Sequence, residues 1–413
     1  MTRPAAHAAG APDALVAWTV EVDDPGELLT WLPAGQSFAF LRGGDGIVGW
    51  GEALRLNPGP DLAGAVEATL RAITVRDDVG LPGSAAVAIA SLGFTPDDAS
   101  VVVVPKVILG RREGRSWLTL VTPPGAVEVP ALRRRPVAAA SSPPGEVSAE
   151  VPTEREWAAS VVTAVDAIRA GGLDKVVLAR AIDVTAACNL DPRAVAARLA
   201  ERFPSCFTYL CDGLVGASPE LLIRRLGRHA ESLVLAGTVR RGRSAEEDAD
   251  LERALLASTK DAVEHRLASE SVRDVLDRVA AEAVADPTPT LLRLANVTHL
   301  ATHLEAWLPP TAPSALELAQ LLHPSAAVGG TPRDRALEMI TTLEAAPRGR
   351  YAAPVGWVDA GGDGEFAIAL RCAQLSGRVA RLWAGAGIVA DSDAEAELAE
   401  TTAKFDAVLA ALT

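Results

Sequence analysis

The sequence predicts a mixed fold of the α/β or α+β class. Three observations carry this: strand-like alternation over the first 120 residues, a regular interleaving of helix and strand patterns beyond residue 152, and serine-capped apolar helices at intervals. With 413 residues, the chain can bury a large core, as one large domain or as two closely joined halves.

Residues 14–22 and 37–54 alternate apolar and polar positions or carry β-branched and aromatic residues between glycines, and so read as strands. Residues 99–109, which contain Val101-Val102-Val103-Val104, read as another. From 123 to 152 the composition turns to Pro, Ala, Ser and Arg, the mark of a linker or surface loop between an N-terminal portion (1–122) and a catalytic region (153–413). Residues 154–170 form an amphipathic helical pattern, and 175–184 a strand directly after the Gly171-Gly172 break. Ser244 and Glu247 make a capping box that opens one long helix to Val279. Ser392 and Glu395 repeat the device for a last helix to about Ala411.

Composition excludes several classes. A formal charge of −14 argues against nucleic acid and anionic membrane partners, which need a positive footprint. No apolar run reaches the ~20 residues that span a bilayer, and the N-terminus lacks a secretory pattern, so a cytoplasmic enzyme is expected. Four cysteines without CxxC spacing read as buried thiols, and the scattered histidines make a zinc site improbable.

Three groupings of residues can carry chemistry. In the C-terminal helix, Glu397, Glu400 and Lys404 lie along one face, which alone reads as a solvated charged surface. Just upstream, Gly385-Ala386-Gly387 ends a strand with bare backbone, where a ligand can approach closely. The second grouping is Lys260 and Glu264, an i,i+4 pair of the long helix and alone only a surface pair. If the two helices pack together, Glu264 and Glu400 converge, and gathered carboxylates call for a hard cation such as Mg2+. The third pairs Lys175 with Glu220. In an apolar strand a lysine is disfavoured as an ammonium and can serve as a base, although a strand-end lysine pointing into water is at least as common. Glu220 precedes the apolar run Leu221-Leu222, and burial would keep it protonated as an acid.

Five strings in order, DKVVLARA, GASPELLIRR with LAGTVRRG, STKDAVEH, HPSAAVGGTP, and GEFAIALRCAQL through LWAGAGIV to AEAELAETTAK, resemble the chorismate-utilising enzymes over about residues 150 to 413. This family includes isochorismate, salicylate, anthranilate and aminodeoxychorismate synthases. The resemblance implies one large α+β domain of the anthranilate synthase component I type, with two sheets and flanking helices around a deep site. It implies Lys175 as the base that activates water and Glu220 as the acid that protonates the departing hydroxyl of chorismate. Glu264 and Glu400 would hold Mg2+, with Glu397 beside them. Arg371 and Gly385 would bind the pyruvyl carboxylate, while Lys404, Gly237, Thr238, His299, Ala327 and Leu370 would line the substrate pocket.

Within the family, Lys175 resembles the water-using members, and Ala236 stands where aminodeoxychorismate synthases carry a nucleophilic lysine. Ala327 resembles isochorismate synthases rather than lyase-competent relatives, which place threonine there. The resemblance therefore implies an isochorismate synthase before a salicylate synthase or an inert homologue. Such an enzyme would feed menaquinone or siderophore synthesis and would act as a monomer without an amidotransferase subunit. Departures from the family pattern are Leu398 in place of tryptophan, Gly329 in the turn before Pro332, and His303 after the HLAT string.

Overall fold

The computed structural model describes residues 15–125, 133–135 and 145–412. The expectations for Ala14 and the N-terminal start, and for most of the 123–152 loop, therefore fall outside the described residues.

Helices flank one hydrogen-bonded network of strands that forks into two arms. The shared strand is Val101–Arg112, almost wholly buried, which is why its valine run shows no alternation. One of its edges carries Asp45–Leu56, and the other carries Val87–Ser91 and then Arg115–Thr122.

The first arm continues antiparallel through Ser37–Arg42, Phe207–Cys211, Leu214–Ser218, Cys372–Ser376 and Val379–Ile388 to Lys175–Thr185. Its opening hairpin turns through Gly43-Gly44, both at positive φ (60° and 87°), as a two-residue turn between Arg42 and Asp45 requires. The second arm runs through Pro354–Asp359, Gly364–Ile368, Leu221–Leu226 and His229–Arg240 to Val297–Trp307. Two buried apolar clusters fill the space under the sheets, with Trp117, Trp157 and Trp357 among the largest fully buried side chains.

The strands expected at 14–22, 37–54, 99–109 and 175–184 appear as Val16–Val22, Ser37–Arg42 with Asp45–Leu56, Val101–Arg112 and Lys175–Thr185, and the helix expected at 154–170 as Glu154–Arg169. Three expectations are corrected. The single helix from Ser244 to Val279 is two, Ala245–Ala257 and Thr259–Val279. Ser258 leaves helical geometry (ψ 115°), and its hydroxyl accepts from the Asp261 N–H at 3.2 Å, so a serine within the apolar period starts a new helix. The C-terminal helix, Ala394–Leu412, is capped by Asp393, which accepts from Glu395 and Ala396 N–H at 3.1 and 3.0 Å, while Ser392 accepts from Val389. Lastly, the end of the expected loop is a strand, Glu146–Val151, added to the edge of Lys175–Thr185. Among the described residues, no helix is long and apolar enough to cross a membrane.

Candidate active site

The tips of the two arms and two helices converge on one narrow cavity of about 60 Å³. The first arm contributes Lys175, the first residue of its strand, and Gly385 and Gly387 on the strand paired to it. The second contributes Glu220, just before Leu221–Leu226, together with Gly237, Thr238 and His299. At Gly237 (φ 76°) the pairing with Val297–Trp307 shifts register, a bulge that sets Thr238 opposite His299. Glu264 comes from the Thr259–Val279 helix, and Glu397, Glu400 and Lys404 from the C-terminal helix.

Of the residues singled out from sequence, Glu220, Gly237, Thr238, Glu264, His299 and Ala327 line this cavity, as do Leu370, Arg371, Gly385, Glu400 and Lys404. Lys175 and Glu397 stand behind the wall and reach the site through ion pairs. The sequence reading missed Tyr351 and Val177 and gave Gly387 no specific task. Larger clefts of about 470 and 920 Å³ lie elsewhere, and neither gathers the acidic and basic side chains found here.

Lys175 has no solvent exposure, and its Nζ lies 3.3 Å from Glu264 Oε1 without hydrogen-bond geometry to any partner. A buried lysine amine whose donors find no partner is costly to keep and marks a functional group. Gly387 makes this pair possible. A Cβ there would fall 1.9 Å from Glu264 Oε1 and 3.1 Å from Lys175 Cε.

Glu220 is 3% exposed, and its Oε1 accepts from the Leu235 N–H at 3.4 Å. Burial pushes its pKa up to about 8, against the opposing pull of that N–H and of the Lys175, Arg371 and Lys404 charges. It is a protonated carboxylic acid at neutral pH.

His299 Nδ1 lies 2.9 Å from Thr238 Oγ1, and Arg371 Nη2 is 3.4 Å from Nε2. Since Arg371 can only donate, this contact assigns the Nδ1–H tautomer, which donates to Thr238. Burial first, then Arg371 and Lys404, hold the imidazole pKa well below its usual range, so the ring is neutral. Arg371 sits at a left-handed φ of 48°, and Lys404 Nζ donates to Gly385 O at 2.8 Å and to Glu400 at 2.5 Å.

The i,i+4 pairing of Lys260 with Glu264 does not form. Glu264 turns to Lys175, and Lys260 crosses to Glu397 on the other helix at 2.6 Å. Glu264, Glu397 and Glu400 thus each rest on a lysine of their own. Burial together with the charge of Glu400 raises the Glu397 pKa to about 7. Burial opposes ionisation of Glu400 too, but Lys404 and then Lys260 outweigh it and hold the group below its usual range. Among the described residues no three acidic or imidazole groups are drawn as close as a formed metal centre. The donor set nonetheless fits a hard divalent cation: carboxylate oxygens only, with Glu397 and Glu400 mutually repelling and Glu397 Oε1 held by the Lys260 ammonium, itself a cation, at 2.6 Å.

Comparison with known proteins adds an independent line. The family described as "Chorismate binding enzyme" matches residues 42–413. The chain is 38% identical over 343 residues to a MenF protein of Mycobacterium tuberculosis, covering 80% of this chain and 87% of that one. It is 40% identical over 284 residues to the salicylate biosynthesis isochorismate synthase of Pseudomonas aeruginosa, covering 68% and 59%. The structure of MenF, the menaquinone-specific isochorismate synthase of Escherichia coli, superposes with a TM-score of 0.82 at 26% identity, covering 98% of this chain and 96% of that one. Anthranilate synthase component I of Streptococcus pneumoniae, 21% identical, shares the fold with a TM-score of 0.73, covering 92% and 93%.

Proposed function

Because the chain belongs to the chorismate-binding enzymes, we propose that it is an isochorismate synthase, adding water at C2 of chorismate as the C4 hydroxyl leaves. The observation that carries this mechanism is Glu220 buried in the cavity wall without an ion pair, which favours its acid form, with the Lys175 amine buried behind that wall.

Lys175 is the base in this reading. It takes a proton from the attacking water, and Glu220 gives its proton to the departing hydroxyl, so that a second water leaves and no net charge is created. Arg371 receives the pyruvyl carboxylate, with Gly385 presenting bare backbone beside it. His299, neutral and fixed by Thr238, offers a polar wall that does not compete for the anionic substrate. Leu370 and the small Ala327 shape the pocket. Glu264, Glu400 and Glu397 are the residues that would hold Mg2+, which supplies positive charge for the ring carboxylate in an otherwise acidic protein.

Nothing in this chemistry calls for an amidotransferase subunit or a second copy, and a monomeric cytoplasmic enzyme of menaquinone or siderophore synthesis suffices. Ala236 lies in the cavity wall where an attacking lysine would be needed for amino transfer to the ring. Incubation of the purified protein with chorismate and MgCl2, followed by product separation, tests the proposal. Isochorismate is the expected product, and salicylate with pyruvate would replace this reading by a salicylate synthase.

A further inference from the structure

Three lysines stand against the three acidic side chains of the site, and they are not equivalent. Lys175 is sealed in the interior, and Lys404 is also fixed to the Gly385 carbonyl at 2.8 Å. Lys260 has neither restraint. Its side chain is 25% exposed, reaches from the Thr259–Val279 helix to the C-terminal helix, and meets Glu397, which is 1% exposed, at 2.6 Å. Its charge acts on Glu400 and Glu264 as well as on Glu397. It is therefore an ammonium in contact with Glu397 and within electrostatic reach of Glu400 and Glu264, on a flexible and partly exposed stem. Without a positive charge there, Glu397 and Glu400 would face each other in a poorly solvated space, where like charges repel strongly.

We propose that Lys260 is a built-in stand-in for the divalent cation: its ammonium gathers the site carboxylates in the metal-free protein and is displaced towards solvent when the cation binds. The inference rests on the reading of Glu264, Glu397 and Glu400 as the Mg2+-holding residues. It adds that the protein's own lysine competes with the metal, so that metal affinity is a difference between two occupants and is tuned at a residue that need not touch substrate. A local pair between Lys260 and Glu264 would have no such effect, since it would leave Glu397 without a counter-charge.

The test is calorimetric titration of metal-stripped protein with MgCl2. Lys260→Gln should bind Mg2+ about ten-fold more tightly than the unmodified protein, within the usual range for coupled sites. Its metal-free form should melt at a lower temperature, and the gap should narrow when Mg2+ is saturating. Unchanged or weaker Mg2+ binding by Lys260→Gln would overturn the inference. Glu400→Gln separates the two layers. If it abolishes Mg2+ binding while Lys260→Gln does not tighten it, Lys260 has no competing role. If it leaves Mg2+ binding intact, the carboxylate reading fails and this inference fails with it.

A second measurement needs no variant. Reductive methylation of the unmodified protein, read by peptide mass spectrometry, should label Lys260 several-fold faster with saturating Mg2+ than without it. Labelling that is unchanged or slower would mean that the ammonium is not displaced, contradicting the proposal.

Discussion

The cavity has two walls built from the same side chain put to opposite use. On the helical wall, Glu400 is drawn below its usual range because Lys404 and Lys260 outweigh the cost of burial. On the second-arm wall, Glu220 has one backbone N–H at 3.4 Å and no ion pair within contact, and burial carries it up to about 8. Both are glutamates of one site. What differs is the distance to an ammonium, and this divides the site into a wall suited to holding a cation and a wall suited to giving a proton.

The largest effect that could break this comparison is on turnover. Glu220→Gln, which keeps the shape and removes the transferable proton, should lower kcat by about 10²- to 10⁴-fold, and Lys175→Ala by a similar factor, in a chorismate consumption assay. Retention of activity in either variant would leave the proton-donating wall without a role.

Metal-free thermal stability sharpens the same contrast. Glu220 has a folded value of about 8 against an ordinary 4.5, so the folded state holds the extra proton between those pH values and stability falls as pH rises through that window. Glu220→Gln should therefore be the more stable protein at pH 8, by an amount on the order of a few kcal/mol. Glu400 has the opposite sign. Its depressed value contributes stability above its ordinary 4.5 that is lost as pH falls, so Glu400→Gln should lower Tm at neutral pH. Shifts of one sign for both variants would erase the distinction between the walls.

Smaller effects probe the parts that position each wall. Gly387→Ala would drive a Cβ against Glu264 Oε1 and should weaken Mg2+ binding about ten-fold, with a loss of one to a few kcal/mol of stability from overpacking, measured by calorimetry and by melting. Tyr209→Phe should do less. The Tyr209 hydroxyl, wholly buried, donates to Leu370 O at 2.8 Å, one residue before the left-handed Arg371. Its loss, about 1 kcal/mol, should raise KM for chorismate a few-fold and change kcat little.

Much of this was legible in the sequence, and the gaps have physical reasons. Strands showed through period-two patterning, and the family strings marked all the cavity residues that carry charge. Lys260 was assigned the wrong partner because helical spacing reports only neighbours along one helix, whereas Glu264 and Lys260 each answer to a charge on another element. The break at Ser258 was hidden by apolar periodicity that runs across it, although Ser258 and Asp261 already form a helix-start pattern. Gly387 was noted as bare backbone, but what a side chain there would strike depends on a packed neighbour. Tyr351 had no local signal, since it enters the cavity from a loop.

The central claim is that Glu220 holds the proton that the reaction spends, and the pH dependence of kcat/KM with saturating Mg2+ tests it most directly. For the unmodified enzyme kcat/KM should fall on the alkaline side with a midpoint near 8, and the residual activity of Glu220→Gln should lack that limb. An alkaline limb that persists unchanged in Glu220→Gln would contradict the account.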